Sequence, residues 1–202
     1  MPSIRPYRPT DRSALYGICV KTADAGGDAT GILSDDSLWG DLFAVPYAER
    51  HPDLCWVVET DDGRAIGYIV ATDDTDAFYT WFRDEWWPPL RERFPRPEEP
   101  ATREDHMVDY GYTRMPGIEP NAAEYPAHLH IDLLPETQGH GFGRRLMETL
   151  FAELTRRGVT GLHLGIDPKN AGAAAFYERI GMHRLESAPG GQLYGVRFPQ
   201  TD

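Results

Sequence analysis

Gln138-Gly139-His140-Gly141-Phe142-Gly143-Arg144-Arg145 is the stretch that decides the fold of this 202-residue chain. The residues before it alternate between polar and apolar and predict a strand over 127–133, while the apolar spacing after it predicts a helix over 142–157 ended by Gly158. Glycines let a backbone approach a ligand closely, and the first turn of a helix leaves N–H groups free at its positive end. The stretch therefore predicts an anion-binding loop.

Two other glycine-rich phosphate loops do not match this stretch. A Walker loop ends in Gly-Lys-Ser/Thr, whereas Gly143 is followed by two arginines. A dinucleotide fingerprint requires Gly-x-Gly-x-x-Gly, whereas the glycines here stand at every second position. Neither type of nucleotide site is therefore predicted.

The rest of the chain alternates between strand and helix patterns. Before the loop we predict a strand over 4–7, a helix N-capped by Thr10 that ends near 25–27, a short helix over 39–49, and a hairpin of strands 54–59 and 65–72. After it we predict a strand over 161–166, a helix capped by Asn170 and ended by Gly181, and strands 182–186 and 193–198 joined across 189–191. This order predicts one mixed α/β domain over residues 1–202.

Residues 73–127 differ in character, being rich in proline, acidic residues and aromatics. We interpret them as an insertion or lid within the domain, with helices over 78–94 and 102–110. Phe78, Phe82, Trp86 and Leu90 recur at every fourth position, which predicts one apolar helix stripe packed on the core. A wall of the substrate site is the alternative interpretation of the same stripe.

Composition narrows the classes of partner. The 20 Lys and Arg against 32 Asp and Glu give a net charge of −12, which disfavours nucleic acid and anionic lipid as partners. The N-terminus is polar and no apolar run reaches the roughly 18 residues of a membrane span, so neither a signal peptide nor a transmembrane helix is expected. Cys19 and Cys55 stand beside apolar residues and are predicted to be buried thiols in a reducing cytoplasm.

Two motifs resemble the signatures of the GNAT superfamily of acetyl-CoA-dependent N-acetyltransferases. Gln138, Gly141 and Gly143 match its pyrophosphate loop, Gln/Arg-x-x-Gly-x-Gly/Ala. The second signature is matched by Asn170, Ala173, Phe176, Tyr177 and Gly181, with Met182 in place of the final aromatic residue. The resemblance implies a mixed, mostly antiparallel sheet flanked by helices, acetyl-CoA as cosubstrate, no metal, and a primary amine as acceptor.

Further segments resemble the acetyltransferase-like C-terminal domain of animal O-GlcNAcases and its free-standing bacterial relatives. They are residues 19–22, residues 55–59 with Gly67-Tyr68, residues 87–90, and the proline-rich insertion. The animal domain lacks the phosphate loop and is regarded as a pseudo-acetyltransferase, whereas this chain keeps the loop. The resemblance leaves two functions open, an active acetyltransferase and a module that binds acetyl-CoA or docks a protein without turnover.

The resemblance also implies roles for individual residues. Pantetheine is expected along the backbone of Leu133 and Leu134, and Tyr177 is expected to protonate the leaving thiolate. The remaining expected cofactor-binding residues are Gln138, Gly139, His140, Gly141, Phe142, Gly143, Arg144, Arg145, Asn170, Ala173 and Phe176, together with Tyr177 itself. Six Lys or Arg against four Asp or Glu over 138–181 make this segment locally basic, as a phosphate-bearing cofactor requires.

Three polar residues, His128, His130 and Asp132, share one face of the strand over 127–133. Because the resemblance puts the acceptor amine near this strand, Asp132 or His130 is a candidate general base. A buried hydrogen-bond network and a His-x-His-x-Asp metal site are the alternatives. Asp24, Asp28 and the acidic insertion would suit a cationic amine, peptide or polyamine, and the chain is expected to be a monomer or a homodimer.

Overall fold

The computed structural model describes residues 1–187 and 191–199, so positions 189 and 190 of the predicted last turn lie outside the described residues. One seven-stranded sheet runs through the described part in the order β1-β2-β3-β4-β5-β7-β6. All neighbouring strands are antiparallel except the parallel pair β4 and β5. The strands are β1 (Ser3–Pro6), β2 (Cys55–Glu59), β3 (Ala65–Thr72), β4 (Ala127–Leu133), β5 (Gly161–Ile166), β6 (His183–Leu185) and β7 (Gln192–Arg197).

Helices cover both faces of this sheet. They are α1 (Arg12–Val20), α2 (Ser37–Phe43), α3 (Val45–Arg50), α4 (Thr75–Trp81), α5 (Arg103–Thr113), α6 (Phe142–Arg156) and α7 (Ala171–Arg179). Tyr68 and Val70 of β3 pack with α1–α5, whereas Ile69 and Ala71 pack on the opposite face with α6 and α7, as the two-residue period of a strand requires. The predicted mixed, mostly antiparallel sheet flanked by helices is confirmed.

The parallel strands β4 and β5 separate shortly after they begin. Their paired residues are Ala127 with Leu162 and His128 with His163, and from Leu129 onward the two strands no longer pair. A split opens between the strands toward their C-terminal ends. The split lies next to the loop that follows β4.

The first helices differ from the prediction in their limits. A 3₁₀ turn at Pro9–Asp11 precedes α1, so the α-helix begins at Arg12 and not directly after Thr10. The Asp11 carboxylate accepts hydrogen bonds from the Arg5 guanidinium and the Arg8 N–H. Helix α1 ends at Val20, before the predicted 25–27, because the Thr22 hydroxyl donates to the carbonyls of the last turn.

The single helix predicted over 39–49 is two helices that meet at Ala44. Pro46 lacks an N–H, so it makes no helical bond to the Leu42 carbonyl four residues earlier. That carbonyl accepts a 2.8 Å hydrogen bond from Arg114 instead. A proline in the predicted helix therefore frees an acceptor for a residue 72 positions away.

In the insertion, the prediction of one helix over 78–94 was wrong. Helix α4 ends at Trp81 and is followed by one π turn, Phe82–Trp86, in which the Trp87 N–H donates to the Phe82 carbonyl at 2.8 Å. The extra residue in that turn brings Trp87 into the core in place of Trp86. Phe78 and Phe82 are fully buried, as the stripe predicted, whereas Trp86 and Leu90 are only partly buried. The second predicted helix is present as α5.

Cys19 and Cys55 are both free and buried, as predicted. Among the helices in the described part of the chain, none is long and apolar enough to cross a membrane.

Candidate active site

The loop after β4 and the start of α6 form one wall of a groove, and α7 forms the other. We call it the loop groove, and its volume is about 770 Å³. Of the residues expected to bind a cofactor, those that line it are Leu133, Gln138, Gly139, Gly141, Phe142, Gly143, Arg144, Asn170, Ala173, Phe176 and Tyr177. Most of the predicted set is therefore brought together in one place.

The backbone of the loop leaves a run of N–H groups free. The Gln138 N–H donates to Pro135 at 3.1 Å, and the next bonded N–H is that of Arg145, which donates to Gly141 at 3.1 Å. Between them, the N–H groups of residues 139–144 have no acceptor among the described residues. Gly139 and Gly141 hold φ values of 76° and 72°, which side-chain-bearing residues rarely adopt. Unpaired N–H groups at the start of a helix suit an anion.

Three expected residues lie outside the groove lining. The Leu134 N–H donates to Ile66 at 3.0 Å and its carbonyl accepts from Thr137, so its backbone has no group left for pantetheine. His140 is exposed. The Arg145 guanidinium lies 4.2 Å from the centre of the Phe142 ring. The Gln138 side chain lines the groove, but its N–H is already bonded within the loop.

The basic residues of segment 138–181 serve different purposes. Arg144 and Arg179 line the loop groove. Arg156 and Arg157 stand at the other end of α6, where they pair with Glu153, and Arg157 also pairs with Asp53 and Asp73. The local excess of positive charge counted in the sequence therefore reaches the groove only in part.

A second cavity adjoins the groove on the side of α2 and α5. We call it the inner cavity; its volume is about 420 Å³. Besides Cys19, its walls include residues to which the sequence patterns gave no role in a site, namely Trp39, Phe43, Arg103, Met107 and Asp167. These residues come from separate helices and loops, and no short motif joins them.

The groove and the cavity meet where β4 and β5 separate. Asp132 and Tyr177 line both spaces, and His130 lines the inner cavity. All three expected catalytic residues are therefore next to the junction, on β4 and α7.

Asp132 is tied to the neighbouring strand. The Tyr68 hydroxyl donates to its Oδ2, and Tyr68 and Asp132 are register partners on β3 and β4. Burial raises the pKa of Asp132, and the hydrogen bond from Tyr68 partly opposes that rise. The carboxyl group is thus poised nearer to neutral pH than an exposed aspartate.

Tyr177 keeps its proton at neutral pH. Its side chain is only 6% exposed, and burial, followed by the nearby charge of Asp132, raises the pKa of its hydroxyl well above the ordinary value. The hydroxyl makes no hydrogen bond to another described residue. A protonated, unengaged phenol at the junction is suited to donating a proton.

The two histidines of β4 belong to a buried polar network. Tyr47 Oη lies 2.7 Å from His128 Nε2 and 3.2 Å from His130 Nε2, and Thr75 Oγ1 lies 2.8 Å from His128 Nδ1. Burial, and then the Arg114 charge, lower the pKa of both rings, that of His130 to about 3. Tyr47, Thr75 and Arg114 carry no sequence signal that links them to the strand.

Asp24 and Asp28, two of the acidic residues expected to attract the acceptor, are not among the lining residues of either space. Asp24 pairs with Arg103 at 2.9 Å, and Asp28 accepts from Thr30. The carboxylates that line the inner cavity are those of Asp132 and Asp167. Within residues 1–187 and 191–199, no group of three His, Cys, Asp or Glu side chains is arranged to hold a metal ion.

Comparison with curated proteins finds relatives of two kinds. The chain is 25% identical to the protein O-GlcNAcase of Rattus norvegicus over 193 residues, which is 93% of this chain and 21% of that protein. It therefore spans about a fifth of the length of this relative. It is also 33% identical to the [ribosomal protein bS18]-alanine N-acetyltransferase of Salmonella typhimurium over 82 residues, which cover 41% of this chain and 51% of that one.

Solved structures show the same fold. The crystal structure of SsHAT matches with a TM-score of 0.92 and 40% identity, covering 97% of this chain and 98% of that one. The structure of yncA from Salmonella typhimurium with its cofactor acetyl-CoA matches in fold, with a TM-score of 0.56 and 16% identity over 97% of this chain and 93% of that one.

The model of the acetyltransferase (GNAT) family matches residues 29–182, which include the separating strands, the loop and α7. That match covers well over half of the chain and agrees with the fold of SsHAT. The chain belongs to the acetyltransferase (GNAT) family.

Proposed function

We propose that the chain is an N-acetyltransferase that transfers an acetyl group from acetyl-CoA to a primary amine by direct attack, within a single domain that includes the 73–127 insertion. The observation that carries this proposal is the junction of the loop groove and the inner cavity at Asp132 and Tyr177. Two spaces that meet at a carboxyl group and a protonated phenol suit a reaction between two substrates.

The loop groove fits a cofactor that carries phosphates. The free N–H groups of residues 139–144 and the side chains of Arg144 and Arg179 would hold the pyrophosphate. Gly143 keeps the helix start close to its neighbours, because a Cβ there would lie 3.3 Å from both Leu133 and Phe176. Acetyl-CoA, when bound, supplies the activated acetyl group as a thioester.

The residues at the junction divide the proton transfers. Tyr177 is the proposed acid, because its phenol stays protonated and faces both spaces. Asp132 and His130 line the inner cavity, where the acceptor amine is proposed to bind. One of them accepts the proton that the amine loses.

The inner cavity is the proposed site of the acceptor. Trp39, Phe43 and Met107 form an apolar part of its wall, while Asp132 and Asp167 bring carboxylates to it. An amine carried on an apolar or peptide body fits such a wall. The relatives named as bS18-alanine N-acetyltransferases make peptide amines the first class to test.

The test is a thiol-release screen of amines, peptides and aminoglycosides with acetyl-CoA, run beside calorimetry of coenzyme A binding. We expect tight binding of the cofactor and release of free thiol with at least one class of amine. Binding without turnover across the screen would instead identify a cofactor-binding or docking module. Failure to bind coenzyme A would overturn the proposed use of the loop groove.

A further inference from the structure

A buried arginine without a carboxylate partner lies behind the inner cavity. Arg114 follows α5 and is only 1% exposed, yet it forms no ion pair with Asp or Glu among the described residues. Its Nη1 donates to Leu42 at 2.8 Å and its Nη2 donates to Tyr47 Oη at 2.6 Å. The rings around its guanidinium, at 4.5 to 5.8 Å, are those of Tyr47, Phe78, Tyr79, Phe82 and Tyr110. Burying a charge without an opposite charge beside it costs folding free energy. The charge of Arg114 also acts on the protonation of the groups next to it.

The hydrogen bonds of His128 have one consistent set of directions. Thr75 Oγ1 donates to the Pro126 carbonyl at 2.7 Å, because a carbonyl can only accept. The Thr75 oxygen therefore accepts from His128 Nδ1, which must carry the proton of the neutral ring. His128 Nε2 then holds a lone pair and accepts from the Tyr47 hydroxyl at 2.7 Å.

The tautomer of His130 follows from the same reasoning. The single proton of the Tyr47 hydroxyl is used on His128, and the Tyr47 oxygen already accepts from Arg114. His130 Nε2, 3.2 Å from that oxygen, can only donate to it. The proton of His130 is therefore on Nε2. Its Nδ1 holds the lone pair and has no partner among the described residues, and the ring lines the inner cavity.

Burial and the positive charge of Arg114 keep His130 neutral. Arg114 faces it from beyond α5, Tyr47 from α3, and His128 and Asp132 from its own strand. Burial and the charge of Arg114 lower the pKa of His130 to about 3, so the ring is a weak proton acceptor at neutral pH. Asp132, whose pKa is raised by burial, is better matched to accepting a proton there.

We propose that Arg114, acting through Tyr47, is a positioning residue that holds His130 as a neutral Nε2–H imidazole, so that His130 Nδ1 accepts a hydrogen bond from the acceptor amine while Asp132 accepts the proton. This inference rests on the proposed function. His130 orients the neutral amine, whose nitrogen forms the new bond to the acetyl carbon. The amine proton passes to Asp132, and Tyr177 gives its proton to the sulfur as the carbon–sulfur bond breaks. Asp132, which lines the same junction, then returns a proton to Tyr177.

The first test reads the tautomers directly in the wild-type protein. In protein labelled with ¹⁵N-histidine, long-range ¹H–¹⁵N spectra distinguish a protonated from an unprotonated ring nitrogen, and His130→Gln and His128→Gln assign the signals. We expect His130 as the Nε2–H tautomer and His128 as the Nδ1–H tautomer, with neither ring titrating between pH 5 and 8. A His130 in the Nδ1–H form, or one that titrates in this range, would overturn the proposal.

The second test removes the connection between Arg114 and His130. Tyr47→Phe should mix the His130 tautomers and lower kcat/KM by about tenfold, mainly through the KM of the acceptor, with cofactor affinity unchanged. Tyr79→Phe is the matched control. The Tyr79 ring also lies beside the Arg114 guanidinium, but its hydroxyl donates to Glu119 and not to a histidine. An unchanged tautomer and an unchanged KM in Tyr47→Phe would refute the role of Tyr47.

The third test removes the charge. Arg114→Met should raise the pKa of His130, because the positive charge is removed while burial remains. The variant should lose activity on the acid side of its pH profile, because a cationic ring no longer accepts an N–H. A titration of His130 unchanged from the wild type would contradict the proposal, and if this variant does not fold, the first two tests decide. Absence of turnover in the wild type with the expected tautomers would overturn the proposed function while leaving the arrangement of His130 supported.

Discussion

The Tyr68 hydroxyl donates a hydrogen bond to Asp132 across the paired strands β3 and β4. It is the one hydrogen bond from another strand to the carboxyl group at the junction of the two spaces, among the residues the structure describes. Burial raises the pKa of Asp132, whereas the hydrogen bond from Tyr68 and, after it, one from the Thr22 side chain lower it, so the loss of the Tyr68 hydroxyl should raise that pKa.

Tyr68→Phe should therefore move the pH dependence of the reaction. Without the donor the charged carboxylate is less stable, so the pKa of Asp132 rises further and the ascending limb of the kcat/KM profile shifts to higher pH by about one unit. Tyr16→Phe is the control, because it removes a tyrosine–aspartate hydrogen bond, to Asp41, away from both spaces. An ascending limb that stays in place in Tyr68→Phe would argue against Asp132 as the proton acceptor.

Tyr177→Phe removes one hydroxyl and keeps the ring. We expect kcat to fall by about 10²–10⁴ while the affinity for coenzyme A hardly changes, since the phenol is proposed to act only when the thiolate leaves. Tyr194→Phe is a matched control, because its ring lies 6.1 Å from that of Tyr177 and its hydroxyl bonds Glu178 instead of lining the junction. Full kcat in Tyr177→Phe would remove this residue from the mechanism.

Gly141→Glu should abolish binding of coenzyme A in calorimetry. The substitution places a carboxylate at the start of α6, where the free N–H groups are proposed to hold phosphate. Gly158→Glu controls for backbone strain, because Gly158 has a φ of 74° against 72° for Gly141 and both have open space around a Cβ, yet Gly158 ends the same helix. Equal affinity in the two variants would show that the phosphates bind elsewhere.

Gly111→Ala should destabilise the protein through the insertion. A Cβ on Gly111 would lie 2.3 Å from the ring of the buried Trp87, and overpacking of this kind costs about 1–3 kcal/mol, which lowers Tm by several degrees. Gly17→Ala is the control within α1, where a Cβ meets nothing within 4 Å and helix propensity favours alanine. An unchanged Tm in Gly111→Ala would mean that α5 is not held against Trp87.

Local patterns were enough to predict much of the frame. Period-two alternation predicted strand β4, and the apolar spacing over 142–157 with Gly158 at its end predicted α6. The capping role predicted for Asn170 is confirmed, because its side chain accepts from the Ala173 N–H at 3.1 Å. Each of these signals depends on residues close together in the chain, so it can be recognised from a single sequence.

The failures share a cause, since each depends on a contact between distant residues. The π turn places Trp87 in the core in place of Trp86, so it depends on core packing. At the break between α2 and α3, the Leu42 carbonyl finds its hydrogen-bond donor in Arg114, far along the chain. Leu134 is a further case, because its N–H is taken by Ile66 on the neighbouring strand.

The sequence by itself determined the family, the glycine-rich loop before α6 and the polar face of β4, because motif, turn and strand alternation are properties of adjacent residues. Only the tertiary structure decided which hydrogen bonds the side chains of that face make and which protonation states they hold. Tyr47, Tyr68 and Arg114 come from three separate elements, and their hydrogen bonds and charge assign different states to His130 and Asp132, two residues that the sequence left equivalent. Burial and long-range hydrogen bonds set protonation, and both exist only after the chain has folded.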